Sequence, residues 1–211
     1  MARLIFILLL LVGGTLIMAL LADRRGKQDA RAARLRSSFL HGTPLGGYTQ
    51  PLEMREASVG GLFRFRVPKR WREGVDPAGG STFETGGPAS PVLRIRVLAL
   101  ERTDRPGAPA PALADVLRGL RPGAESTVEE LPGGRVLLKC LEVPADRKGE
   151  QVVYEWHLGA PASPPGLCIA QFSLVLPVAA AAELIVQSDV SLLERELREA
   201  TLIAGAGAVA G

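Results

Sequence analysis

Few side chains in this sequence are of the kinds that do covalent or metal chemistry, and their spacing limits what they can do. Two cysteines, Cys140 and Cys168, and two histidines, His41 and His157, are the whole complement. A lone cysteine pair invites a disulfide. The alternation around these two argues otherwise. They fall on the first and third strands of a meander, and strands next but one stand ~9–10 Å apart, beyond the ~7 Å Cα limit for a bridge. Both also fall at inward positions, so buried thiols packing as small hydrophobes are expected. His41 falls in a Gly/Pro linker and His157 on the outward face of a strand. Neither has a Cys or carboxylate at a ligand spacing, so neither a metal nor a cofactor is expected. The G-x-S-x-G and G-x-x-x-x-G-K-[ST] patterns are absent, and Gly79-Gly80, Gly86-Gly87 and Gly133-Gly134 read as turns. The chain is therefore expected not to be an enzyme. A hydrolase with an unmarked site stays open only because triads are assembled in space.

The more informative cluster is cationic. Arg64, Arg66, Lys69, Arg70 and Arg72 lie close together in sequence, and Arg94 and Arg96 share one face of a later strand. If the two strands are neighbours, like charges face one another and destabilise the sheet unless something negative is near. Two readings stand. The cations pair within the molecule with residues such as Glu84, Glu101 or Glu155, each pair contributing little. Alternatively the patch docks on an acidic protein surface or on lipid headgroups, where Arg makes bidentate contacts.

These residues are positioned by a regular succession of elements. Phe63, Phe65 and Val67 alternate with Arg64 and Arg66 in a strand ending at Pro68, and Val92–Leu100 repeats the alternation. Leu113, Val116, Leu117 and Leu120 fall at i, i+3, i+4 and i+7, a helix stopped before Pro122 and Gly123. Three strands follow, Arg135–Val143, Gln151–Leu158 and Leu167–Leu176, with short turn-rich connections that predict an antiparallel meander. Helices over Ala179–Gln187 and from Ser191 onward complete the chain, with Glu194 three residues after Ser191 at capping-box spacing. The order β, β, α, β, β, β, α predicts an α+β sandwich, one antiparallel sheet with helices packed on it.

The N-terminus has a different character. Leu4 to Ala22 carries no charge and is long enough, at ~1.5 Å per residue, to cross the ~30 Å core of a bilayer. Its length and the bulky Leu20 argue against a cleaved signal peptide, so a retained transmembrane helix is expected. Arg24, Arg25, Lys27, Arg31, Arg34 and Arg36 follow. They place the C-terminal side in the cytoplasm of an inner-membrane, single-pass protein, with Arg24, Arg25, Lys27 and Arg31 touching lipid headgroups. Seven Lys/Arg against two Asp make residues 1–42 net +5, whereas 43–211 hold eighteen against twenty, net −2. The basic pI belongs to the anchor, so nucleic acid is not an expected partner. The expected organisation is an anchor over 1–22, a basic arm and Gly/Pro linker over 23–61, a domain over 62–203 and a small-residue tail over 204–211.

A strand with Phe65 and Val67 running into Pro68 and Trp71, a Gly-rich turn with Phe83, and the L-x-I-x-V strand at Leu93 precede one helix. A meander with an aromatic-rich middle strand and a long C-terminal helix follow. Together they resemble the PsbP/DcrB-like superfamily over residues 62–203. The resemblance implies that family's fold and an accessory or assembly role in membrane complexes, with no shared catalytic residues. The expected function is thus a non-enzymatic accessory subunit of an integral-membrane complex, docking through its domain. The alternative is a tethered module binding a small ligand or peptide between sheet and helix.

Overall fold

The computed structural model describes residues 23, 26–27, 29–41, 52–77, 79–86, 91–101, 112–143, 151–162 and 166–203. The described residues from 23 to 41 are helical (α1). After them come β1 (Met54–Val59), β2 (Phe63–Pro68), β3 (Arg72–Val75), β4 (Ser81–Glu84) and β5 (Val92–Glu101). Next are α2 (Leu113–Gly119), β6 (Ser126–Leu131), β7 (Arg135–Glu142), β8 (Gln151–Ala162) and β9 (Gly166–Pro177). The chain closes with α3 (Val178–Ala181), α4 (Leu184–Glu199) and β10 (Thr201–Leu202).

The strands form two antiparallel sheets, β1-β2-β10 and β3-β4-β5-β9-β8-β7-β6. This corrects the expected α+β fold of one sheet covered by helices: the molecule is mostly β, with few helices. The reason is local. Short strands such as Arg72–Val75 and Ser81–Glu84 add to the edge of the large sheet without a long apolar alternation of their own. The first hairpin turns at Gly60 and Gly61, with φ of 59° and 65°, a backbone region that costs glycine nothing. That turn pairs β1 with β2 and so builds a strand inside the stretch read as linker.

A single large core lies between the sheets. One face of the seven-stranded sheet offers Phe83, Leu93, Ile95, Tyr154, Trp156, Leu158, Phe172 and Leu174. Phe63, Phe65 and Val67 of β2 meet it, and so does the stripe Val186, Val190, Leu193 and Leu197 of α4. That stripe runs through Ser191, which therefore sits inside α4 and not at a helix start; burial of a continuous apolar face outweighs a local capping signal. Helix α1 also belongs to this core. Phe39 packs edge-on to Tyr154 at 4.8 Å and to Trp156 at 5.4 Å, and Lys139 Nζ donates to the Phe39 carbonyl at 2.9 Å. The second face of the large sheet is covered locally by α2, through a smaller cluster of Leu117, Val136, Leu138, Cys140 and Ile169.

Among the described residues no helix is long and apolar enough to cross a membrane. The expectation of a single-pass, inner-membrane protein with a transmembrane helix and a cytoplasmic domain is corrected accordingly. Residues 1–22, to which the sequence assigns the anchor, and 204–211, read as a tail, lie outside the described residues.

Candidate functional site

Where the sheet's second face meets α2, three side chains with metal-ligating or catalytic chemistry converge. The register of β7 and β8 sets Cys140 directly opposite Glu155, and His157, two residues on, points to the same face. Cys140, Glu155 and His157 each offer a ligand atom within 4.8 Å of the others, and all three are buried. Cys140 Sγ donates to Glu155 Oε2 at 3.5 Å, and His157 Nε2 stands 3.5 Å from the same oxygen. The other oxygen, Oε1, accepts from Arg121, just beyond α2, and from Gln171 of β9 at 3.4 Å. Arg121 also lies 3.6 Å from Glu142. Neither nitrogen of His157 makes a hydrogen bond of good geometry, although the residue is only 2% exposed.

The electrostatics follow from this packing. Burial alone pushes the Glu155 carboxyl up, but His157 and Arg121 together outweigh it and hold the group below the ordinary carboxylate range. Burial, and then the neighbouring Glu155 charge, push the Cys140 thiol up to about 12. It is a thiol at neutral pH and a poor nucleophile as it stands. Cys168 lies on the opposite face of the sheet, in the large core, and burial raises its pKa too. Both cysteines are buried and unbridged. The expectation that neither histidine has a carboxylate at a ligand spacing is corrected: Glu155, two residues before His157, shares its face of β8 and lies against it. The available signal is Glu155-x-His157 on one face of a strand; Cys140 joins it only once the β7–β8 register is known.

The sheet cations behave differently. β2 pairs with β1 and β10, and β5 with β4 and β9, so the two arginine-bearing strands lie in different sheets and do not form one patch. Arg64 pairs with Glu56 at 2.9 Å, Arg66 with Glu196 and Glu199 at 2.8 Å each, Lys69 with Glu53 at 3.2 Å and Arg70 with Asp189 at 2.6 Å. Arg94 and Arg96 share Asp76 at 3.9 and 4.0 Å, while Arg72 stands across from Glu84 in the β3–β4 register. The partners include residues of α4, far off in sequence, and Glu155 serves Arg121 instead.

A second concentration of cations lies on α1. Lys27, Arg31 and Arg34, at i, i+4 and i+7, share one helix face. With Ala30 and with Val178 and Ala179 of α3 they line an open groove of about 480 Å³. Lys27 donates to Asp23 at 2.7 Å, while Arg31 and Arg34 are exposed and, among the described residues, not ion-paired. Arg24 and Arg25, expected at lipid headgroups with Lys27 and Arg31, lie outside the described residues.

No protein-family model matches the chain, so the PsbP/DcrB-like resemblance gains no support from one. No curated protein matches it in sequence. Among solved structures the chain is similar to one described as LpqN, involved in cell envelope biogenesis of Mycobacterium tuberculosis. The two share 16% identity with a TM-score of 0.43, over 76% of this chain and 89% of that one. A likeness of that size bears neither on this chain's fold nor on its activity.

Proposed function

We propose that the chain is a non-enzymatic accessory protein that docks through the groove between α1 and α3 onto an acidic segment of another protein. The observation that carries this reading is the pair Arg31 and Arg34, exposed on the wall of a groove with an apolar floor while the cations of the sheets are largely matched by carboxylates. Guanidinium groups beside a small-residue floor of Ala30 and Ala179 suit a peptide that alternates carboxylates with small apolar side chains. The groove is anchored for that work. Phe39 and Leu40, farther along the same helix, are buried in the main core, so α1 presents its cations from a fixed position.

The test is a binding titration with a labelled peptide of alternating Glu and Ala, beside sedimentation with anionic phosphatidylglycerol vesicles. The full chain is expected to bind the peptide with salt-sensitive affinity. Double replacement Arg31→Glu with Arg34→Glu is expected to weaken it at least about tenfold, taking roughly 1 kcal/mol per exposed charge contact. Unchanged peptide affinity in that variant, or binding of vesicles without binding of peptide, overturns the proposal.

A further inference from the structure

The buried cluster under α2 carries an inference independent of the docking groove. We propose that Cys140 Sγ, Glu155 Oε2 and His157 Nε2 are three ligands of a single zinc-class divalent ion, with a water as the fourth. Three separate observations converge on it.

The first is geometry. In a tetrahedral zinc site with bonds of about 2.3 Å to sulfur and 2.0–2.1 Å to oxygen and nitrogen, the ligand atoms stand roughly 3.3–3.6 Å apart. The sulfur-to-oxygen and nitrogen-to-oxygen separations here are both 3.5 Å, and all three atoms lie within 4.8 Å of one another. Two of the three separations therefore already match a tetrahedral site, and the sulfur-to-nitrogen one, within 4.8 Å, closes by side-chain adjustment without rearrangement of the sheet. The second is the histidine. A buried imidazole with both nitrogens lacking a well-formed hydrogen bond is costly, and an ion on Nε2 removes that deficit at the side facing the cluster. The third is the surrounding shell. Glu155 points Oε2 at the other two ligands, while Arg121 and Gln171 hold Oε1, which is how an outer shell orients a ligating carboxylate.

Charge balance is also in order. On binding, the Cys140 thiol releases its proton to solvent and the sulfur lone pair forms the metal bond, with no change of oxidation state. The thiolate and Glu155 then neutralise a divalent ion, and Arg121 keeps Glu142 as its counter-charge. A sulfur, a nitrogen and one carboxylate oxygen suit zinc, and cobalt as its spectroscopic substitute; an all-oxygen shell of the kind magnesium or calcium needs is not present in this cluster. The site is rooted on two paired strands and covered by α2.

The test uses the full chain, stripped with chelator and titrated with Co(II) and then Zn(II). One equivalent of Co(II) is expected to give tetrahedral d–d absorption together with a sulfur-to-cobalt charge-transfer band, both removed by Zn(II). Cys168→Ser, on the other face of the sheet, is expected to keep both features. Cys140→Ser is expected to lose the charge-transfer band, and His157→Gln to weaken binding at least about tenfold, each judged on protein whose far-ultraviolet circular dichroism matches the parent. The parent spectrum needs no variant, so the proposal stays testable if a substitution unfolds the chain. A parent chain that takes up no Co(II) or Zn(II), that binds Co(II) with weak octahedral absorption only, or that loses its charge-transfer band in Cys168→Ser overturns it.

Discussion

Phe39→Ala tests whether α1 is an arm attached to the domain or a member of its core. The ring is 7% exposed and sits edge-on to Tyr154 and Trp156, with the Lys139 ammonium 5.2 Å from its centroid. Truncating a buried Phe costs about 3–5 kcal/mol through lost transfer energy and the cavity left behind. The two edge-to-face contacts, each about 0.5–1.5 kcal/mol, and the cation–π contact, about 0.5–2 kcal/mol, put this site in the upper half of that range. A cost of about 4 kcal/mol is the working figure. For a domain of this size it corresponds to a fall in Tm of roughly 8–16 °C. Urea unfolding followed by tryptophan fluorescence is the assay, because Trp156 lies beside the mutated ring and reports the core directly. Arg34→Ala, exposed on the same helix, is the control and is expected to change stability by less than about 0.5 kcal/mol. Should Phe39→Ala shift the unfolding free energy by under about 1 kcal/mol at unchanged m-value, α1 is an appendage, and the packing argument that fixes the groove falls with it.

Gly80→Ala is expected to cost at least about 3 kcal/mol, because φ is 111° and a Cβ would sit 2.3 Å from the Ile95 carbonyl oxygen; Gly79→Ala, with nothing within 4 Å, is expected to cost clearly less by the same denaturation assay. Equal costs would refute the close approach. In the metal-free chain both thiols are expected to resist Ellman's reagent at pH 8 and to react fully on denaturation, since burial raises both pKa values and takes Cys140 to about 12. The linkage has a definite sign. A pKa higher in the folded than the unfolded chain gives stability that is complete below the ordinary thiol value of about 8.5. Above it, stability falls by up to about 1.4 kcal/mol per pH unit for each thiol, until the folded pKa is passed. Cys168→Ser is expected to flatten that alkaline decline, measured as urea midpoint against pH in chelator, and an unchanged slope refutes the assignment.

What the sequence made legible is what periodicity can reach. Val152, Tyr154, Trp156 and Leu158 alternate as expected, and all four enter the main core. The same alternation sends Glu155 and His157 to the other face, and there periodicity stops being informative, because it separates two faces without saying what lies over the second. That face is buried only because Leu117 of α2 lands on Val136, Leu138 and Ile169, a tertiary contact with no local signature. The stripe of α2 is visible in sequence, but its landing place is not. The arginines show the same limit from the electrostatic side. Arg66 reads as one of a crowd of like charges on adjacent residues, yet its main partners are Glu196 and Glu199, more than a hundred residues away on α4. The division into two sheets is equally non-local, since β10 adds to β2 only after the whole meander has been completed. The two sites thus differ in how far each lies from the reach of a sequence pattern. The groove cations Lys27, Arg31 and Arg34 are a helical i, i+4, i+7 set already evident as a basic run. The Cys140–Glu155–His157 cluster depends on one strand register and one helix placement, and a shift of one residue in that register would send Cys140 to the opposite face from His157.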